Sequence, residues 1–127
     1  MLAVLVLGLA LAAGLATGAA AQARKALVVG IDSYDALPDL AKAVNDARAV
    51  AATLTDLGFA VLAAENTDRR AFNQRLGEFL NAVQPGDETV FFFAGHGVEI
   101  GGRNYLLPAD VPAALAGQEA FVTAESI

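Results

Sequence analysis

The chain has 127 residues, 56% hydrophobic and 17% charged, with 14 acidic against 8 basic side chains, one histidine and no cysteine. That length holds one domain at most, and the apolar fraction is far above that of a disordered segment. The lack of cysteine excludes disulfides and cysteine metal sites, and a net charge of -6 makes nucleic acid and anionic membrane surfaces poor partners.

From Met1 to Ala23 no residue is charged, and Leu2 to Ala16 is a continuous apolar run. Small residues follow, and Ala19-Ala20-Ala21 or Ala21-Gln22-Ala23 offers the small-x-small pattern that a signal peptidase accepts. Residues 1–23 are therefore read as a signal peptide, with export to the periplasm or the extracellular space expected and an N-terminal membrane anchor as the alternative. No Lys or Arg precedes the apolar run, so either the true start lies upstream or export is inefficient. Residues 24–127 are left as the folding unit.

Lys25 to Ile31 is a short β-branched run that predicts a buried strand. Leu40, Val44, Ala47, Ala51 and Leu54 then repeat at steps of four and three, the spacing of one helical face, with Asp39 as the expected N-cap and Gly58 as the stop. Phe59 to Ala64 predicts a second strand. Asn66, Thr67 and Asp68 offer caps for a second amphipathic helix carrying Phe72, Leu76, Phe79, Leu80 and Val83, closed by Pro85-Gly86. Val90 to Phe93 has no polar alternation, which places it in the middle of a parallel sheet covered on both faces.

The order βαβαβ, with short loops and right-handed crossovers, predicts an α/β fold, a three-layer α/β/α sandwich around a mostly parallel sheet. Val98-Glu99-Ile100 and Arg103-Asn104-Tyr105 flank Gly101-Gly102, the signature of a two-residue hairpin. Pro108 and Pro112 interrupt regular structure, and Thr123 to Ile127 reads as the opening of a helix. The expectation is a sheet cut off after its third core strand, the front part of a larger domain, since the phenylalanine strand would otherwise present an apolar edge.

In open parallel sheets ligands bind beyond the carboxyl ends of the strands, which directs attention to the loops after the first and third. Gly95-His96-Gly97 follows the third strand directly: a lone imidazole between two glycines that allow a sharp turn and close approach of another chain. Histidine is the side chain best suited to moving protons near neutral pH. A satisfied loop histidine is the bland alternative, and position at a strand end between glycines weighs against it.

Lys25-Ala-Leu-Val-Val-Gly-Ile, Asn45-Asp46-Ala47, Gly58-Phe59, Val90 to Gly97 (VFFFAGHG) and Gly102-Arg-Asn-Tyr-Leu-Leu-Pro-Ala-Asp110 together resemble the front half of a bacterial caspase-like domain of the caspase and metacaspase group. That resemblance implies a caspase-hemoglobinase-type fold and cysteine endopeptidase activity. It implies that His96 is the catalytic histidine and that the Gly97 backbone N–H helps form the oxyanion hole. A donor that must sit beside the base with no side chain in the way suits glycine. The family's cysteine lies at the end of the next core strand, so the chain alone is expected to be inactive.

Ala94 stands where many metacaspase relatives carry Ser, and Asp32 where many bacterial relatives carry Asn; both are assigned to the substrate pocket by the resemblance. Asp32 and Asp35, with no Arg nearby in sequence, lean toward a peptide or protein substrate with a basic P1 residue, although both also suit turns. Asn45-Asp46 is assigned structural support on a solvated helix face, and Tyr105 is expected to pack rather than react. Of the rivals, a serine esterase turn in Gly30-Ile31-Asp32-Ser33 is one residue out of register. A nucleotide cradle needs more glycines than the first turn offers. One His and scattered carboxylates do not make a metal site, so no cofactor and no metal are expected. The competing class is a catalytically inactive caspase-like scaffold that binds peptide without cleaving it.

Overall fold

A computed structural model describes residues 22–112 and the backbone of residues 122–123. Apart from Gln22 and Ala23, the predicted signal segment lies outside the described residues. Among the described residues no helix is long and apolar enough to cross a membrane.

Strand β1 (Arg24–Gly30) is followed by helix α1 (Ala43–Asp56), strand β2 (Ala60–Glu65), helix α2 (Arg69–Ala82) and strand β3 (Glu88–Ala94). The three strands form a parallel sheet in the order β2-β1-β3. Alternate side chains of β1 serve opposite layers, as the two-residue strand period requires. Leu27 and Val29, with Ile31 just beyond the strand, pack with Phe72, Leu76 and Phe79 of α2. Ala26 and Val28 face Ala47 of α1, with Val50, Ala51 and Leu54 alongside. One helix thus covers each face, and the fold is the expected α/β sandwich. Each large side chain buried this way contributes about 1.5–3 kcal/mol.

Gly30 permits the close seat of α1: a Cβ there would stand 2.7 Å from the Ala47 Cβ and 2.9 Å from the Ala43 carbonyl oxygen. At the opposite end of the sheet Lys25 pairs with Asp87 at 2.7 Å and also donates to the Ala82 carbonyl, which ties β1 to the turn between α2 and β3.

Several local expectations shift. Helix α1 begins at Ala43, and Lys42 at its N-cap makes no side-chain cap bond. Asp39 lies outside the helix and accepts the Tyr34 N–H at 2.9 Å, while Leu40 packs against the α2-side core. On α2 Asp68 is the N-cap, accepting from the Ala71 N–H at 2.7 Å, but Leu80 is exposed. Among the described residues β3 pairs with β1 alone, so Phe91 to Phe93 are half-buried rather than covered in mid-sheet.

Strands β4 (Gly97–Ile100) and β5 (Arg103–Leu106) form the predicted hairpin, with Gly101 and Gly102 both at positive φ as its two-residue turn demands. A short strand β6 (Val122–Thr123) pairs antiparallel with β5. Thr123 is therefore strand and not the start of a helix, because Tyr105 offers it a ladder partner; residues 124–127 lie outside the described residues.

Candidate active site

The parallel strands end level, Gly30 standing opposite Glu65 on one side and Ala94 on the other. The loops that follow β1, β2 and β3 consequently meet at one rim. The sheet order reverses between β1 and β3, the position where such sheets bind ligands. His96 emerges there, half-buried, two residues after the end of β3.

Four contacts hold it. Its main-chain N–H donates to the Tyr34 hydroxyl at 2.8 Å, and its carbonyl accepts the Leu107 N–H at 3.0 Å. The Tyr34 ring meets the imidazole edge-on, with centroids 4.7 Å apart. Ring atom Nε2 lies 2.9 Å from the Pro38 carbonyl oxygen. A carbonyl only accepts, so this bond fixes the proton on Nε2 and leaves Nδ1 of the neutral ring as the basic nitrogen. Burial raises the Tyr34 phenol above its ordinary value, which keeps it a neutral hydroxyl able to accept from His96 and donate to the Leu107 carbonyl.

Gly97 opens β4. The Leu107 N–H bond to the His96 carbonyl brackets the Gly97–Leu106 pair as a non-hydrogen-bonded one, so the Gly97 N–H points away from β5. Strand β4 is the outer strand of its sheet and Gly97 is exposed, so a backbone donor faces outward next to the imidazole.

The loop carrying Tyr34 and Pro38 is itself pinned. Asn66 Oδ1 accepts the N–H groups of Asp32 and Ser33 at 2.8 and 3.1 Å, and the Asp32 carbonyl accepts the Leu40 N–H at 2.8 Å. Segment Leu107 to Val111 closes the rim through Asp35 N–H to the Ala109 carbonyl, Ala109 N–H to the Thr67 carbonyl, and Arg69 N–H to the Asp110 carboxylate.

His96 and Gly97 are thus side by side at the rim, and Ala94 stands two residues before them on β3. Asp32 is placed differently: one carboxylate oxygen accepts the Val44 N–H at 3.2 Å at the start of α1. The sequence shows no Arg close to Asp32, but in space Arg48 lies within electrostatic reach while forking onto Glu65 with two 2.7 Å bonds. Those bonds hold the Glu65 carboxyl below its usual range. Tyr34, Pro38 and Asn66 are the contributors that sequence reasoning missed as parts of the site. The Pro38 contribution is a backbone carbonyl and has no side-chain signature. An apolar groove between β2 and α2, lined by Ala26, Val61, Leu62 and Phe79, lies near the other end of the strands and holds none of these groups.

A family model for the caspase domain matches residues 23–124, which takes in both sheets, both helices and the histidine rim. The chain belongs to the caspase domain family. No curated protein matches it. Family membership points this caspase domain toward cysteine-peptidase-like chemistry, and a glycine-flanked histidine held at a sheet rim is an arrangement able to handle protons for such a reaction.

Proposed function

We propose that this caspase domain is the histidine-bearing part of a cysteine endopeptidase of the caspase and metacaspase group. The observation that carries the reading is the 2.9 Å bond between His96 Nε2 and the Pro38 carbonyl, which orients the ring and reserves Nδ1 for the proton of a nucleophile. In this reading Nδ1 takes a thiol proton as sulfur attacks the scissile carbonyl and later returns it to the leaving amine. The outward Gly97 N–H donates to the oxyanion that forms between those steps. The chain has no cysteine, so the thiol comes from outside these 127 residues, and the chain alone is inactive.

The proposed substrate is a peptide or protein with a basic P1 side chain. The exposed Asp35 places negative charge in the loop after β1; Asp32, whose carboxylate also accepts the Val44 N–H with Arg48 within electrostatic reach, and Ala94 on the β3 side complete the proposed pocket. Residues 1–23 act as an export signal in the same proposal, leaving a periplasmic or extracellular protein.

The absence of cysteine favours one second reading, a caspase-like scaffold that holds extended peptide without cutting it. Sequencing the coding DNA downstream of Ile127 separates the two. An in-frame strand ending in Asp-x-Cys supports the peptidase, and the same strand ending in Ser, Gly or Tyr supports the scaffold.

A further inference from the structure

A single loop grips His96 at two atoms. Tyr34 takes the main-chain N–H at 2.8 Å, and Pro38, four residues on, takes Nε2 at 2.9 Å. The two reach the same histidine because the loop is pinched between them, the Tyr34 N–H donating to the Asp39 carboxylate at 2.9 Å. Tyr34 is only 8% exposed, and its hydroxyl has both capacities in use, accepting from His96 and donating to the Leu107 carbonyl at 3.3 Å. Its ring edge forms one wall of the imidazole, at 62° between planes. Gly95 makes room for the arrangement: a Cβ there would lie 2.7 Å from the Tyr34 hydroxyl oxygen and 2.7 Å from Phe93 Cζ.

We infer that Tyr34 is a positioning residue for His96, its hydroxyl fixing the backbone where β3 ends and its ring fixing the imidazole plane, so that the Pro38 carbonyl can hold Nε2. The inference rests on the reading of His96 as the proton-handling group. Tyr34 is buried behind the ring with its hydroxyl proton already donated to the Leu107 carbonyl, so it acts through His96 and not on substrate. It also assigns the first glycine of Gly95-His96-Gly97 a separate task from the second: Gly95 admits the phenol, and Gly97 presents its N–H.

The 127-residue chain has one histidine, so its imidazole resonances are unambiguous in ¹⁵N-labelled protein. In the wild type the His96 amide is expected to be protected from solvent exchange and the Nε2 proton to be visible. Tyr34→Phe keeps the ring and deletes the hydroxyl. It should speed His96 amide exchange at least about fivefold, the factor a typical net hydrogen bond is worth. It should also abolish the Nε2 proton signal while core amides of β1 keep their protection. Should Tyr34→Phe unfold, Gly95→Ala, which drives a methyl into the hydroxyl's place, decides on the same two signals. An unprotected His96 amide in the wild type, or both signals unchanged in the folded variant, overturns the inference. These signals need no thiol, so they separate the inference from the peptidase reading. A ring released by Tyr34→Phe beside full cleavage by His96→Ala in a cysteine-bearing form would keep the positioning and remove the peptidase. An unmoved ring beside an inactive His96→Ala would do the opposite.

Discussion

Asn66 is the only described non-glycine residue with positive φ, at 47°, and its side chain supports the backbone of the neighbouring loop at Asp32 and Ser33. Asparagine tolerates that conformation better than most residues. Asn66→Ala loses both side-chain bonds and keeps the strained dihedral, so it should destabilise by about 2 kcal/mol in urea unfolding. Asn66→Gly loses the same bonds but relaxes the backbone, and should recover roughly 0.5–1 kcal/mol of that loss. His96 and Gly97 were legible in the sequence because glycines on both sides of a lone histidine are a visible anomaly. Their supports were not: Asn66 reads as a helix cap, Tyr34 belongs to no motif, and a Pro38 carbonyl looks like every other carbonyl. At the opposite end of the sheet, hydrogen bonding from Lys25 holds the Asp87 carboxyl below its usual range. A depressed carboxylate contributes stability that is present above its unfolded value and is lost as pH falls through the folded one. Asp87→Asn should therefore lower the melting temperature at neutral pH, and the gap to wild type should close in acid; a gap that persists in acid would assign the loss to packing instead.

The core strand runs announced themselves through unbroken apolar composition, and β1 to β5 each start and end within two residues of their expected bounds, whereas β6 stands where a helix was expected. The hairpin was equally legible, because Gly101-Gly102 meets a backbone demand that few other pairs satisfy. Helix α1 was legible along its buried face but not at its start. Leu40 continues the helical spacing in sequence, yet it packs against the opposite core from an irregular loop, and Asp39 serves that loop at Tyr34. A period of hydrophobic residues cannot distinguish the first turn of a helix from a loop residue that returns to another layer. Helix α2 carries its cap where it was expected, and it has a second partner in Asp110, which accepts the Arg69 N–H at 2.8 Å. Asp68→Ala should cost about 1 kcal/mol, the usual value of an N-cap, measured as a shift in the urea midpoint with the slope unchanged. A change in slope would mean that the loop network at the rim had also come apart.

Taken together, the α/β/α layers put three loops at one rim, and the hairpin after β3 folds back so that the segment from Leu107 to Val111 locks onto two of them. The histidine is thereby supported by the loop after β1 and the segment that follows the hairpin, parts of the chain far apart in sequence. The architecture followed from the alternation of strands and helices, while the identity of the supporting loop depended on contacts that only the folded chain reveals. Family membership over residues 23–124 agrees with this organisation. The central claim is that His96 manages protons for a cysteine nucleophile. Its most direct test is cleavage of peptides with Arg or Lys at P1 by the cysteine-bearing protein and its His96→Ala variant, with circular dichroism as the control for folding. The account predicts that cleavage falls by at least about 100-fold while the spectrum is unchanged, as loss of a general base entails. Cleavage at the wild-type rate by a folded His96→Ala protein would contradict it.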